Sequence, residues 1–390
     1  MSDRQVRSLT KQQKSDVFFL VLAFSFVVAG MTLVVGTGAV VVQSVGGDIT
    51  LAPFSLATFF LGMSSVSLTL THWVFKRWGR HIGFWCGCCL ALFGVLLSCL
   101  ALYFSSAALF LIANIFLGAG AGIGMYLRFA AVEVVPMKYH SRVMAWVLCG
   151  GCLASFVGPE SSRATVGKFG EEDNMYYFGL FVVAACFHFA QALCILMIKF
   201  PSPQEDERIQ LQNLERHSQR QPIPDAKEFN SILKQPDFVF PVLISILSWA
   251  IMSMPMSIFR VSMEEAGYTS RESLTVIEFH FLAMYSPGFF SGTFIKSHGV
   301  INSTIIAIIM FALATLVGVF ATQDNNETIV TWYVTLILLG FGWNFGFSGA
   351  SMWVTQSYLG SPHLKAKVQA ANEFLVFLFS GALMFATGYI

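Results

Sequence analysis

The chain has 390 residues, of which 55% are hydrophobic and only 12% charged, and its mean hydropathy is +0.67. Soluble domains carry about 25% charged residues, so this composition excludes an ordinary soluble protein. The net charge of +1 carries no message by itself, because the asymmetry lies in its distribution. Length and composition together predict an all-α, polytopic membrane protein, and no basic aromatic patch for nucleic acid is present.

Eleven apolar stretches are expected to cross the bilayer, at 17–42, 51–74, 82–103, 107–130, 142–162, 176–199, 237–258, 274–295, 302–321, 330–353 and 369–388. Each has about the 20 residues that a hydrocarbon core of roughly 30 Å requires. The first run is too long for the core of a cleaved signal and is expected to remain as a span. One long polar segment, 201–236, opens Pro201-Ser202-Pro203 and runs through charges and glutamines to Pro236. It is read as a cytoplasmic linker, with a short amphipathic helix at 206–218, between a bundle at 1–200 and a second at 237–390.

Charge gives the orientation. With the N-terminus inside, 18 of the 23 Lys and Arg residues fall on cytoplasmic segments, and only Arg163, Lys168, Arg260 and Arg271 fall outside. Basic short loops stay in the cytosol. The 322–329 loop, with the Asn326-Glu327-Thr328 sequon, is then expected outside, as is the C-terminus after an odd number of spans. The eight cysteines all lie in predicted spans of the first half without zinc-like spacing, so neither a disulfide nor a metal is expected.

The halves repeat. Lys76 and Gly79 after span two match Lys296 and Gly299 after span eight, an offset of 220. Leu117-Gly118-Ala119-Gly120 in span four matches Leu339-Gly340-Phe341-Gly342 in span ten, an offset of 222. A near-constant offset is a parallel repeat, one way in which secondary transporters are built. Gly118, Gly120, Gly122 and Gly124 form overlapping Gly-x-x-x-Gly pairs for close helix approach.

These landmarks resemble the major facilitator superfamily. Arg77, Gly79 and Arg80 match its loop between spans two and three, with His72 and Lys76 replacing a Gly and an Asp. Glu133-Val134-Val135-Pro136 with Arg142 resembles its passage from span four to five, and Gly158-Pro159 its span-five pair. A narrower likeness, to bacterial permeases, rests on Arg128-Phe129-Ala130-Ala131, Glu278-Phe279-His280, Gly342-Trp343-Asn344-Phe345 and Ala371-Asn372-Glu373-Phe374. The superfamily usually has twelve spans. The resemblance therefore implies two six-helix bundles, with the twelfth helix absent from this chain.

Polar groups inside a bilayer are costly and are the default functional candidates. The resemblance brings Arg77, Gly79, Arg80, Glu133 and Arg142 to the cytosolic face, where Glu133 is expected to pair with Arg142 as an inner gate. Arg128 either snorkels to headgroups or faces the cavity. Asn114 stands where the superfamily often has an Arg tied to proton coupling. His280 is read as an interhelical hydrogen-bonding group or a cavity group. Tyr126, Gln191, Trp343 and Asn344 are further cavity candidates, suited to a small organic molecule with aromatic character. Glu373, beside Asn372 and with Lys365 and Lys367 toward the cytosol, is the candidate for carrying a proton.

No nucleophile–His–Asp set and no phosphate loop is found, so an enzyme is not expected. The expected function is movement of a small solute by alternating access, with proton coupling through Glu373 as an option. The alternative is a non-transporting sensor on the same fold. No cofactor is called for, the partners are the solute and the bilayer, and the protein is expected to act as a monomer.

Overall fold

A computed structural model describes residues 8–67, 72–136, 139–170, 175–201, 225–323 and 328–387. Every regular element among them is helical. Within a bilayer this follows from the backbone, whose N–H and C=O groups must be satisfied inside each segment. Nine helices are long and apolar enough to cross a membrane among the described residues, and a shorter apolar helix is Ala52–Val66. The predicted amphipathic helix at 206–218 and the sequon at Asn326 lie outside the described residues.

The first six spans comprise α1 Lys11–Ser44, α2 Ala52–Val66, α3 His72–Tyr103, α4 Ala107–Met125 with its continuation α5 Leu127–Glu133, α6 His140–Thr165 and α7 Phe178–Leu196. A short helix, α8 Asp225–Ile232, precedes α9 Pro236–Met256 and its extension α10 Phe259–Glu265. The predicted eighth span is two helices, α11 Ser270–Tyr285 and α12 Gly288–His298. The break falls at Pro287, which has no N–H to continue the helical hydrogen-bond ladder, although Ser286 before it keeps helical dihedrals of -62° and -34°. The chain continues through α13 Val300–Gln323, α14 Ile329–Val354 and α15 Lys365–Thr387.

Helix starts are written locally. Thr10 and Gln13 form a capping box on α1, as do Thr269 and Glu272 on α11, and the Ser106 side chain caps α4. Gly79 and Gly299, the two repeat landmarks, share a left-handed backbone with φ of 82° and 86°. Gly79 kinks α3 and Gly299 closes α12. A side chain would strain both turns.

Packing also recurs. In the first half, α4 lies along α2 and α3, and α1 along α6. In the second, α14 lies along α11 and α13, and α9 along α15. The repeat glycines mediate the close approach. A Cβ on Gly118 would stand 1.9 Å from the Phe59 carbonyl oxygen of α2, and one on Gly340 would stand 2.8 Å from the His280 carbonyl oxygen of α11. The halves join mainly through α15 on α2 and through α11 and α12 on α6, with α10 touching α1. Gly381 of α15 receives Phe60, and Gly151 of α6 receives the Tyr285 ring. This seam holds the site.

Candidate transport pathway

The loop residues divide. Arg80 donates from Nε to Glu133 Oε2 at 2.9 Å, and its Nη2 meets Oε1. The guanidinium also sits 4.4 Å from the Phe75 ring centroid. The pair ties α3 to α5 within the first half. Arg77 and Arg142 are exposed, so the expected pairing of Glu133 with Arg142 is replaced by Arg80. Arg80 reaches Glu133 from just past the Gly79 kink, whereas Arg142, in the first turn of α6, is exposed.

One of the ion pairs that cross the seam lies deeper. Arg128 Nη2 donates to Glu373 Oε1 at 2.7 Å, with side chains 0% and 1% exposed. Arg128 therefore faces inward rather than snorkelling. Phe129 and Phe347 flank its guanidinium at 4.6 and 4.9 Å. Asn372 Nδ2 donates to the same Glu373 oxygen at 3.0 Å. Glu373 Oε2 and Arg128 Nε and Nη1 are buried without a partner among the described protein groups. Nearby, the Ser64 hydroxyl of α2 donates to the Phe374 carbonyl at 3.2 Å.

Toward the other end of the helices the seam is aromatic. Trp249 meets Trp343 at 5.1 Å, Phe377 at 5.4 Å and Phe60 at 5.6 Å. Trp343 stacks on Phe347 at 5.1 Å and meets Tyr285 at 5.6 Å. The indole N–H groups of Trp249 and Trp343 have no partner among the described groups. Asn344 donates to the Met284 carbonyl at 2.6 Å, leaving its Oδ1 without one. Against this cluster lies a gap lined by Met31, Met252, Met256, Met284 and Ser253, about 20 Å³ in volume. That is space for roughly one water.

Four other candidates lie off this seam. Asn114 is buried and donates to the Ser55 hydroxyl at 2.9 Å, linking α4 to α2. Gln191 is bonded to His188 at 3.2 Å on α7, a helix that packs on α1 and α3. Tyr126 is buried between Phe75 and Phe129, at 5.8 and 5.9 Å. His280 joins α11 to α14 through the Leu336 carbonyl at 2.7 Å. The bonds of Asn114 and His280 are the interhelical polar contacts that hold membrane helices together.

The pair of Arg163 with Glu278 was not foreseen from the residues alone. Arg163 of α6 meets Glu278 of α11 at 2.7 Å and donates to Thr275 at 2.8 Å. Arg260 of α10 donates to the Gly36 carbonyl of α1 at 3.1 Å. These links close the end of the seam opposite Arg128. Beside them opens a cavity of about 520 Å³, lined by Arg163, Arg260, Arg271, Tyr176 and Tyr177. Arg163 counted as an outer-loop charge in the sequence, and no local pattern ties it to a carboxylate 115 positions away at Glu278.

A helical membrane body of two repeated halves that meet at a polar, aromatic seam fits one common build of secondary transporters. Residues 18–384 match the Major Facilitator Superfamily, and the chain belongs to that family of multi-pass membrane transporters. A riboflavin transporter of Brucella anthropi, RfnT, is 24% identical over 386 residues, spanning 96% of this chain and 90% of that protein. The MFS-type transporter YddS of Bacillus subtilis is 26% identical over 371 residues, spanning 95% and 83%. Among solved structures, the Escherichia coli xylose transporter XylE superposes with a TM-score of 0.62 at 14% identity, covering 97% of each chain. The E. coli fucose:proton symporter FucP superposes with a TM-score of 0.59 at 14% identity, covering 97% of this chain and 99% of that one. These structural likenesses concern the fold.

Proposed function

We propose that the protein carries a planar, polar aromatic solute by alternating access, with riboflavin the first compound to test. Two bundles, 1–200 and 237–390, rock about the seam, and the 201–236 segment tethers them in the cytosol. The observation that carries this reading is the aromatic cluster of Trp249, Trp343, Phe60, Phe347 and Phe377, with indole N–H groups left unpartnered among the described groups. Rings in such a cluster can separate to admit a flat solute and stack on both its faces. The 24% identical riboflavin transporter supports the same choice.

In this reading Arg128–Glu373 closes the cytosolic side and Arg163–Glu278 closes the outer side. The cavity of about 520 Å³ is the outer vestibule. Protonation of Glu373 would remove its charge and release Arg128, which gives a route for coupling to a proton gradient. The Arg80–Glu133 pair keeps α3 and α5 moving as one body. The test is uptake of labelled riboflavin by vesicles containing the purified protein. Saturable entry above that of empty vesicles, competed by unlabelled riboflavin, is expected. Entry equal to that of empty vesicles would exclude riboflavin as the solute.

A further inference from the structure

We infer that the Arg128–Glu373 pair reads an imide edge, the –C(=O)–NH–C(=O)– face of a planar heterocycle. This deepens the proposal above and rests on its aromatic-solute reading. Glu373 Oε1 accepts from both Arg128 Nη2 and Asn372 Nδ2, at 2.7 and 3.0 Å. Glu373 Oε2 accepts from no described group, and Arg128 Nε and Nη1 donate to none. A buried pair is therefore half-satisfied, with a carboxylate acceptor and guanidinium donors left over on one constellation.

The surroundings limit what can satisfy them. Phe129 and Phe347 hold the guanidinium from two sides, at 4.6 and 4.9 Å. Phe347 stacks on Trp343 with an interplanar angle of 23°. A solute slipping into this stack lies flat against rings and meets the pair with its edge. An edge with acceptors alone would leave Glu373 Oε2 unsatisfied, and an edge with donors alone would leave Arg128 so. An imide edge presents acceptor, donor and acceptor in one plane. Its N–H points at a carboxylate while a flanking carbonyl accepts from a guanidinium, and both bonds are charge-assisted. A further carbonyl or ring nitrogen can accept from the Trp343 indole, itself without a partner among the described groups.

A site built to bond a particular N–H rejects an analogue lacking it far more strongly than a hydrophobic pocket rejects an extra methyl group. Affinities would be measured on the purified full chain in nanodiscs for lumiflavin, N3-methyl-lumiflavin, and lumiflavin lacking its two benzenoid methyl groups. Lumazine and xanthine, each beside its imide-N-methylated form, complete the series. The expected result is a loss of about 10⁴-fold or more on imide N-methylation, against about 10–200-fold for each methyl group removed from the benzenoid ring. A downshift of the bound lumiflavin carbonyl stretches in infrared difference spectra, smaller in Arg128→Lys, supports the same bonds independently of affinity. If N3-methyl-lumiflavin binds as tightly as lumiflavin, the imide reading is overturned while the aromatic solute stands. If lumazine or xanthine binds with N-methyl sensitivity and flavins do not, the imide reading holds and riboflavin is excluded. Binding of no imide heterocycle at all overturns the imide reading outright.

Discussion

Arg128 and Glu373 are 245 residues apart in the chain and 2.7 Å apart in the fold, and both are buried. With Arg163–Glu278, they are one of two ion pairs among the described residues that join the two halves of the protein. Removing one partner of a buried pair leaves the other uncompensated, at a cost of about 3–5 kcal/mol. We expect Arg128→Ala and Glu373→Ala each to lose most folded protein, and Arg128→Met with Glu373→Leu to regain it. Transport should not return in that double variant. Fluorescence-detected size exclusion after heating gives the stability, and vesicle uptake gives the activity. Equal stability of the single and double variants would argue against the pair.

The Arg80–Glu133 bonds lead to a different expectation at the loop. Glu133→Gln and Arg80→Ala should be non-additive in thermal stability, with a coupling of about 0.5–3 kcal/mol. Glu133→Gln and Arg142→Ala should add, because Arg142 is exposed. A double-mutant cycle on each pair decides it. Coupling of Glu133 to Arg142 alone would restore the partner expected from the loop motif.

At the other end, Arg163–Glu278 is the proposed outer closure. Ser253 lines the gap in the seam and reports whether that end is open. In a background without the eight native cysteines, Ser253→Cys should react with an impermeant thiol reagent added outside. Glu278→Gln should speed this roughly fivefold, the factor for about 1 kcal/mol lost from a partly exposed pair. Unchanged labelling would mean that the pair does not hold the outer side shut.

Glycine packing gives a test of the fold itself. A Cβ on Gly118 would meet the backbone oxygen of Phe59 at 1.9 Å, and no rotamer relieves a clash with backbone. Gly118→Ala should cost at least about 1–3 kcal/mol. Gly360 has nothing within 4 Å of a built Cβ, so Gly360→Ala should stay within about 0.5 kcal/mol. Comparable thermal shifts for the two variants would contradict the helix spacing.

Spans were legible because hydropathy and length are local. Each of the eleven predicted stretches contains helix, and the breaks fall at features the sequence displays, Pro287 in span eight and the Gly79 turn before span three. Gly118 and Gly340 were legible as packing sites, since a missing side chain has few other uses within a span. Pairing was not legible. Glu373 was placed near Lys365 and Lys367 by sequence distance, yet it turns to Arg128. Lys367 instead lies 4.5 Å over the Phe229 ring of α8. The aromatic cluster was hidden for a similar reason. With 39 Phe residues in the chain, no face of a span stands out until helices from both halves meet. Trp343 was singled out, but its ring partner Trp249, and the Phe60 and Phe377 rings that Trp249 meets, come from three other helices.

The central claim is that solute passes along the seam between α2 and α15, beside Arg128 and Glu373. Its most direct test locks that seam. The Ser64 hydroxyl of α2 reaches across it to the Phe374 carbonyl of α15, at 3.2 Å. Ser64→Cys with Phe374→Cys, in the cysteine-free background, would be reconstituted and oxidised, and riboflavin counterflow measured before and after reduction. The account predicts no counterflow above empty vesicles in the oxidised state and full recovery on reduction. Equal counterflow by the cross-linked and reduced proteins would contradict it.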